Sequence, residues 1–84
     1  MTYTYKTKGT CAQLIKLDID DDQTIKEVSF LGGCNGNLSG ISALVVGQKI
    51  DDVIDRLEGI KCGFKSTSCP DQLALALKAV KEQF

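Results

Sequence analysis

The chain contains no histidine and no tryptophan, and only one proline in its 84 residues. Without an imidazole base, neither a Ser/His/Asp triad nor a Cys/His pair can be assembled. No apolar run is long enough to cross a bilayer. Met1 to Lys8 alternates polar and aromatic residues where a signal peptide would need an apolar core. Basic clusters and aromatic stacking platforms are missing too, and the formal charge is −1, so a nucleic-acid partner gripped by a basic face is not expected. These absences lead to the expectation of a cytoplasmic protein that engages neither membrane nor nucleic acid. No repeat, linker or low-complexity stretch divides the sequence, so residues 1–84 read as a single domain. A chain of this length buries only about 60–65% of the surface it exposes when unfolded. A metal, a crosslink or a second subunit would supplement so thin a core, and a homodimer is among the expectations.

What the chain does have is four cysteines at its joints: Cys11, Cys34, Cys62 and Cys69. Each lies beside glycine or proline, in Gly9-Thr10-Cys11, Gly32-Gly33-Cys34-Asn35-Gly36, Cys62-Gly63 and Cys69-Pro70. In a reducing compartment such cysteines favour metal or redox roles over a disulfide framework. Four converging thiolates are the ligand set of a structural zinc or an iron–sulfur cluster.

Hydrophobic periodicity locates these joints. Thr2–Lys6 alternates Thr, Tyr and Lys, as a short half-exposed strand does. Ile15, Leu17 and Ile19 alternate with Lys16, Asp18 and Asp20 in a second strand. Asp20-Asp21-Asp22-Gln23 is the turn, and Ile25–Leu31 returns with Val28 and Phe30 on one face. Asn35–Val46 then carries Leu38, Ile41, Leu44 and Val45 at helical spacing. Its Gly36 and Gly40, four apart, point to a close backbone contact or a first turn that needs room. Ile50, Val53, Ile54 and Leu57 form an amphipathic helix ended by Gly59. The last helix places Pro70 at its first position, Ser68 or Cys69 as cap and Asp71 in its first turn. Its buried stripe is Leu73, Ala76, Leu77, Val80 and Phe84. The predicted fold is α+β: a three-stranded antiparallel sheet followed by two to three helices.

Cys11 precedes the second strand and Cys34 follows the third, so a hairpin sets both at one end of the sheet. Cys62 and Cys69 are separated by six residues including Gly63, within reach of one short loop. The alternative to a shared site is one or two buried thiols plus one reactive cysteine. A thiol at the Cys69 position meets the positive end of a helix dipole, which favours the thiolate as ligand, nucleophile or redox partner. The missing base puts ligation ahead of covalent catalysis. Gly32-Gly33-Cys34-Asn35-Gly36 lies between strand and helix, where backbone N–H groups can cradle an anion. It lacks the P-loop Lys-Ser/Thr and the dinucleotide fingerprint, so it is a weak nucleotide-binding signal. Asp18, Asp20 and Asp22 imitate the opening of a calcium loop, but Gln23 and Ser29 stand where that loop needs glycine and glutamate. They read as a solvated hairpin turn, and Asp51, Asp52 and Asp55 as an exposed helix face.

The run Thr67-Ser68-Cys69-Pro70-Asp71, continued by Gln72-Leu73-Ala74, resembles the signature from which the TSCPD domain family takes its name. Gly32-Gly33-Cys34 resembles the family's central element, Leu57-Glu58-Gly59-Ile60-Lys61-Cys62 the following one, and Thr10-Cys11 its first cysteine. The resemblance covers essentially the whole chain. Such domains occur at the C-terminus of adenosylcobalamin-dependent ribonucleotide reductases and as small free-standing proteins. It therefore implies a link to deoxyribonucleotide synthesis, with a ribonucleotide reductase or related redox subunit as partner. A complete reductase needs a large barrel, a radical-generating cofactor and a nucleotide pocket, which this length cannot hold. The layout also resembles the U-type iron–sulfur scaffold proteins. The resulting expectation is an accessory metal-binding module with Cys11, Cys34, Cys62 and Cys69 as ligands and zinc as the metal. An iron–sulfur cluster on the same residues, or a redox dithiol such as Cys62 and Cys69, is the alternative.

Overall fold

A computed structural model describes the chain apart from Cys11, Cys34, Cys62, Phe64 and Lys65, and apart from the side chain of Asn35. Three strands come first, β1 (Thr2–Lys6), β2 (Ala12–Ile19) and β3 (Ile25–Gly32), then three helices, α1 (Asn35–Val45), α2 (Ile50–Leu57) and α3 (Cys69–Lys81). The strands form one antiparallel sheet in the order β1-β2-β3. The expected α+β architecture is present, with three helices.

Period-two alternation fixes the register. Ile15 pairs with Phe30, Leu17 with Val28 and Ile19 with Ile25, which puts the apolar residues of β2 and β3 on one face. Ile15, Leu17, Ile19, Ile25 and Val28 are buried there. At the β2–β3 turn, Asp22 Oδ1 accepts from the Thr24 N–H at 3.2 Å, and Lys49 Nζ stands 3.3 Å from Asp22. The hydrogen bond from Thr24 and the ammonium of Lys49 hold the Asp22 carboxyl below its ordinary range. The acidic triplet is thus part of a hairpin turn, closed by an Asx-type bond.

The helices cover the apolar face of the sheet. Buried residues of β2, β3, α1, α2 and α3 join in a single hydrophobic cluster, with Leu73, Ala76, Leu77 and Val80 of α3 wholly enclosed. On α2, Ile50, Val53 and Ile54 face inward while Asp51, Asp52 and Asp55 are exposed. Ser68 caps α3, accepting from the Asp71 N–H at 3.1 Å, so Cys69 and Pro70 are the first two helical residues.

Two apolar positions differ from expectation. Leu44 is 78% exposed, because α1 turns Leu38 and Val45 inward and the next residue back lies a third of a turn away. Phe84 is 46% exposed, because α3 ends at Lys81 and the chain turns away before reaching it. The glycines of α1 differ as well. A Cβ built at Gly36 or Gly40 meets nothing within 4 Å, so no close contact among the described residues requires either one. Among the described residues, no helix is long and apolar enough to cross a membrane.

Candidate functional site

One end of the sheet gathers the β1–β2 connection, the end of β3, the α2–α3 connection and the first turn of α3. Local hydrogen bonds fold the β1–β2 connection back on itself. Thr7 Oγ1 and Thr10 Oγ1 both donate to the Ala12 carbonyl, and the Thr7 N–H reaches the Gln13 carbonyl at 3.2 Å. Ala12 is the register partner of Gly32, and Gly33 lies directly against it. A Cβ at Gly33 would stand 3.2 Å from the Ala12 nitrogen and 2.8 Å from Leu38 Cδ1, at a φ of +83°. The residue after Cys11 therefore touches the residue before Cys34. This contact also gives the glycine a packing reason that needs no bound phosphate. We expect Gly33→Ala to destabilise the chain by about 2 kcal/mol, from left-handed strain plus displacement of the Ala12 backbone. Urea unfolding measures the loss, and unchanged stability would contradict the close approach.

The second half of the site is a buried polar network at the start of α3. Asp71 Oδ1 accepts from the Gly59 N–H at 2.7 Å, and its Oδ2 from the Thr67 hydroxyl. Ser68 Oγ donates to the Ile60 carbonyl at 2.6 Å. Gln72 Nε2 donates to Thr67 Oγ1 at 3.0 Å, and Gln72 Oε1 accepts from the Lys8 N–H at 3.1 Å. Thr67, Ser68, Asp71 and Gln72 are all buried, and no buried polar side-chain atom among the described residues lacks a partner. The hydroxyl of Thr67 and then the Gly59 N–H hold the Asp71 carboxyl below its ordinary range, against the opposing effect of burial. The network closes the α2–α3 connection from Ile60 to Ser68 and ties it to Lys8, just ahead of Cys11.

Cys69, the first residue of α3, carries a half-buried free thiol. The other expected ligands, Cys11, Cys34 and Cys62, lie outside the described residues. Among the described residues, no group of three or more histidine, cysteine, aspartate and glutamate side chains is placed to hold a metal. Three of the four expected ligands are not in that set. What the structure does place is their flanks: Ala12 with Gly33, Ile60 with Ser68, and Lys8 and Gly9 with Gln72 and Thr67.

Sequence reasoning read Asp71 only as a charge near a helix N-terminus and did not single out Thr67 or Gln72. The spacing of Ser68 and Asp71, three apart, is that of a capping box and was the available signal. Here the carboxylate turns away from its own helix to hold Gly59 and Thr67.

The sequence model of the TSCPD domain matches residues 1–81. The chain belongs to the TSCPD domain family. No curated protein and no solved structure matches it. In this TSCPD domain the signature run, Thr67 to Asp71, is also the segment that builds the buried network. The likeness to U-type scaffolds rests on the order of elements alone.

Proposed function

We propose that this TSCPD domain is a metal-binding module that holds zinc through the thiolates of Cys11, Cys34, Cys62 and Cys69. The observation that carries the reading is the convergence of their described neighbours at one end of the sheet. The donor set fits the metal. Four cysteines without histidine match the all-sulfur tetrahedral site of structural zinc. A zinc centre with four thiolates carries net negative charge, and the exposed Lys8 and Lys61 adjoin this end to offset it. Such a site would supply stability that the small core lacks, by joining the sheet to the α2–α3 connection. The wider role proposed, on family membership, is that of an accessory module to ribonucleotide reduction.

The test is the metal content of the four single Cys→Ser variants. Each is expected to lose most of its zinc, since every thiolate supplies one of the four bonds that close a tetrahedral structural site. Full retention by all four would remove the proposal. Brown protein containing iron and sulfide would assign a cluster to the same thiolates in place of zinc.

A further inference from the structure

Gln72 is a polar residue in a place where an apolar one would cost less to bury. It closes the first turn of α3 and is 4% exposed. Leu73, Ala74, Ala76 and Leu77, which follow it, are apolar and wholly enclosed. A buried primary amide gives up its hydration, a loss that only complete hydrogen bonding offsets. Both ends of this amide are met. Nε2 donates to Thr67 Oγ1 at 3.0 Å, and Oε1 accepts from the Lys8 N–H at 3.1 Å.

The second of these bonds crosses the site. Lys8 is three residues ahead of Cys11, and Gln72 is three residues past Cys69. The other contacts around the cysteines work within pairs. Gly33 against Ala12 holds the flanks of Cys11 and Cys34, and Ser68 on the Ile60 carbonyl holds those of Cys62 and Cys69. Among the described residues, only the Lys8–Gln72 hydrogen bond joins the β1–β2 connection to the α2–α3 half. Gly9, at a φ of +72°, makes room for it. A Cβ there would stand 3.3 Å from Thr67 Cγ2. Thr67 and Gln72, bonded to each other, are therefore the seat on which Lys8 and Gly9 rest.

We infer that Gln72 is a positioning residue for the metal centre, holding the Cys11 and Cys34 segments against those of Cys62 and Cys69 before the ion binds. This rests on the zinc reading above. Where the tie is open, binding has to bring the pairs together, and the observed affinity falls with the fraction of chains already closed. Gln72→Met fills similar space without either hydrogen bond. Zn²⁺ titration against a competing chelator should show its affinity at least about tenfold below wild type, as when roughly one chain in ten is closed. In metal-free protein the Lys8 amide should exchange at least about tenfold faster in Gln72→Met than in wild type. Ile19→Val truncates the core at the opposite end of the sheet, where Ile19 pairs with Ile25, and weakens the fold without touching the tie. Its zinc affinity should stay within about twofold of wild type, which separates positioning from a general loss of stability. Zinc bound equally well by wild type and Gln72→Met overturns the inference and leaves the zinc reading in place. So does an equal loss of affinity in Ile19→Val, or Lys8 exchange that Gln72→Met leaves unchanged. A wild-type chain that binds no zinc removes the zinc reading itself, and this inference with it.

Discussion

Asp71→Ala is expected to destabilise the folded chain by about 2 kcal/mol. The substitution strands the Gly59 N–H and the Thr67 hydroxyl, both donors to this carboxylate. Thr67 is buried, and a buried donor left without a partner costs about 1–3 kcal/mol, less what the hydroxyl recovers by rotating. The Gly59 N–H, in contrast, lies on an exposed residue and can turn to water. Asp71→Asn retains one acceptor oxygen and should lose roughly half as much. The effect depends on pH in a defined direction. The folded-state carboxyl titrates below its ordinary value, so its contribution is fully present above the unfolded-state value near 4. That contribution disappears as the pH falls through the folded-state value. The stability gap between wild type and Asp71→Ala, measured by urea unfolding on metal-free protein, should therefore be widest near neutrality and shrink in acid. A gap that is small, or constant with pH, would contradict the network.

If the proposed zinc is bound, removing it with a strong chelator is expected to lower the thermal midpoint by more than about 10 °C. A chain of this size has a total stability of roughly 4–13 kcal/mol, so even a partial loss of a structural site is large against the whole. The loss should also be local. Among the described residues, the hydrophobic cluster is built from strand and helix residues and does not include Cys69. Metal-free protein should then keep most of its far-ultraviolet circular dichroism at low temperature. Amide protection should fall first at Lys8, Gly59 and the residues around Ser68, whose hydrogen bonds hold the site's segments together. An unchanged midpoint after chelation would show that the fold owes nothing to a metal.

The sheet was legible because its signals are local. Ile15, Leu17 and Ile19 alternate with polar residues, and the pairing with Phe30, Val28 and Ile25 follows once the turn at Asp22 is recognised. α2 was legible for the same reason, with three acidic residues marking its solvent face. α1 was harder. Leu44 and Val45 are adjacent and both apolar, so periodicity alone does not decide which faces the sheet, and with no charge on the helix nothing else in the sequence decides it. Phe84 was misplaced because a stripe can be continued on paper beyond the point where a helix ends. The convergence of the segments around Cys11 and Cys34 follows from hairpin topology. The burial of Asp71 does not, since its partner Gly59 is twelve residues away and is brought close only by the packing of α2 against α3.

The central claim is a zinc centre on four thiolates, and the most direct test is elemental analysis with a visible spectrum. The protein should be prepared without a histidine tag or chelator. The account predicts about one zinc per chain and no colour. Protein without metal, its four thiols all titrating freely, would contradict it.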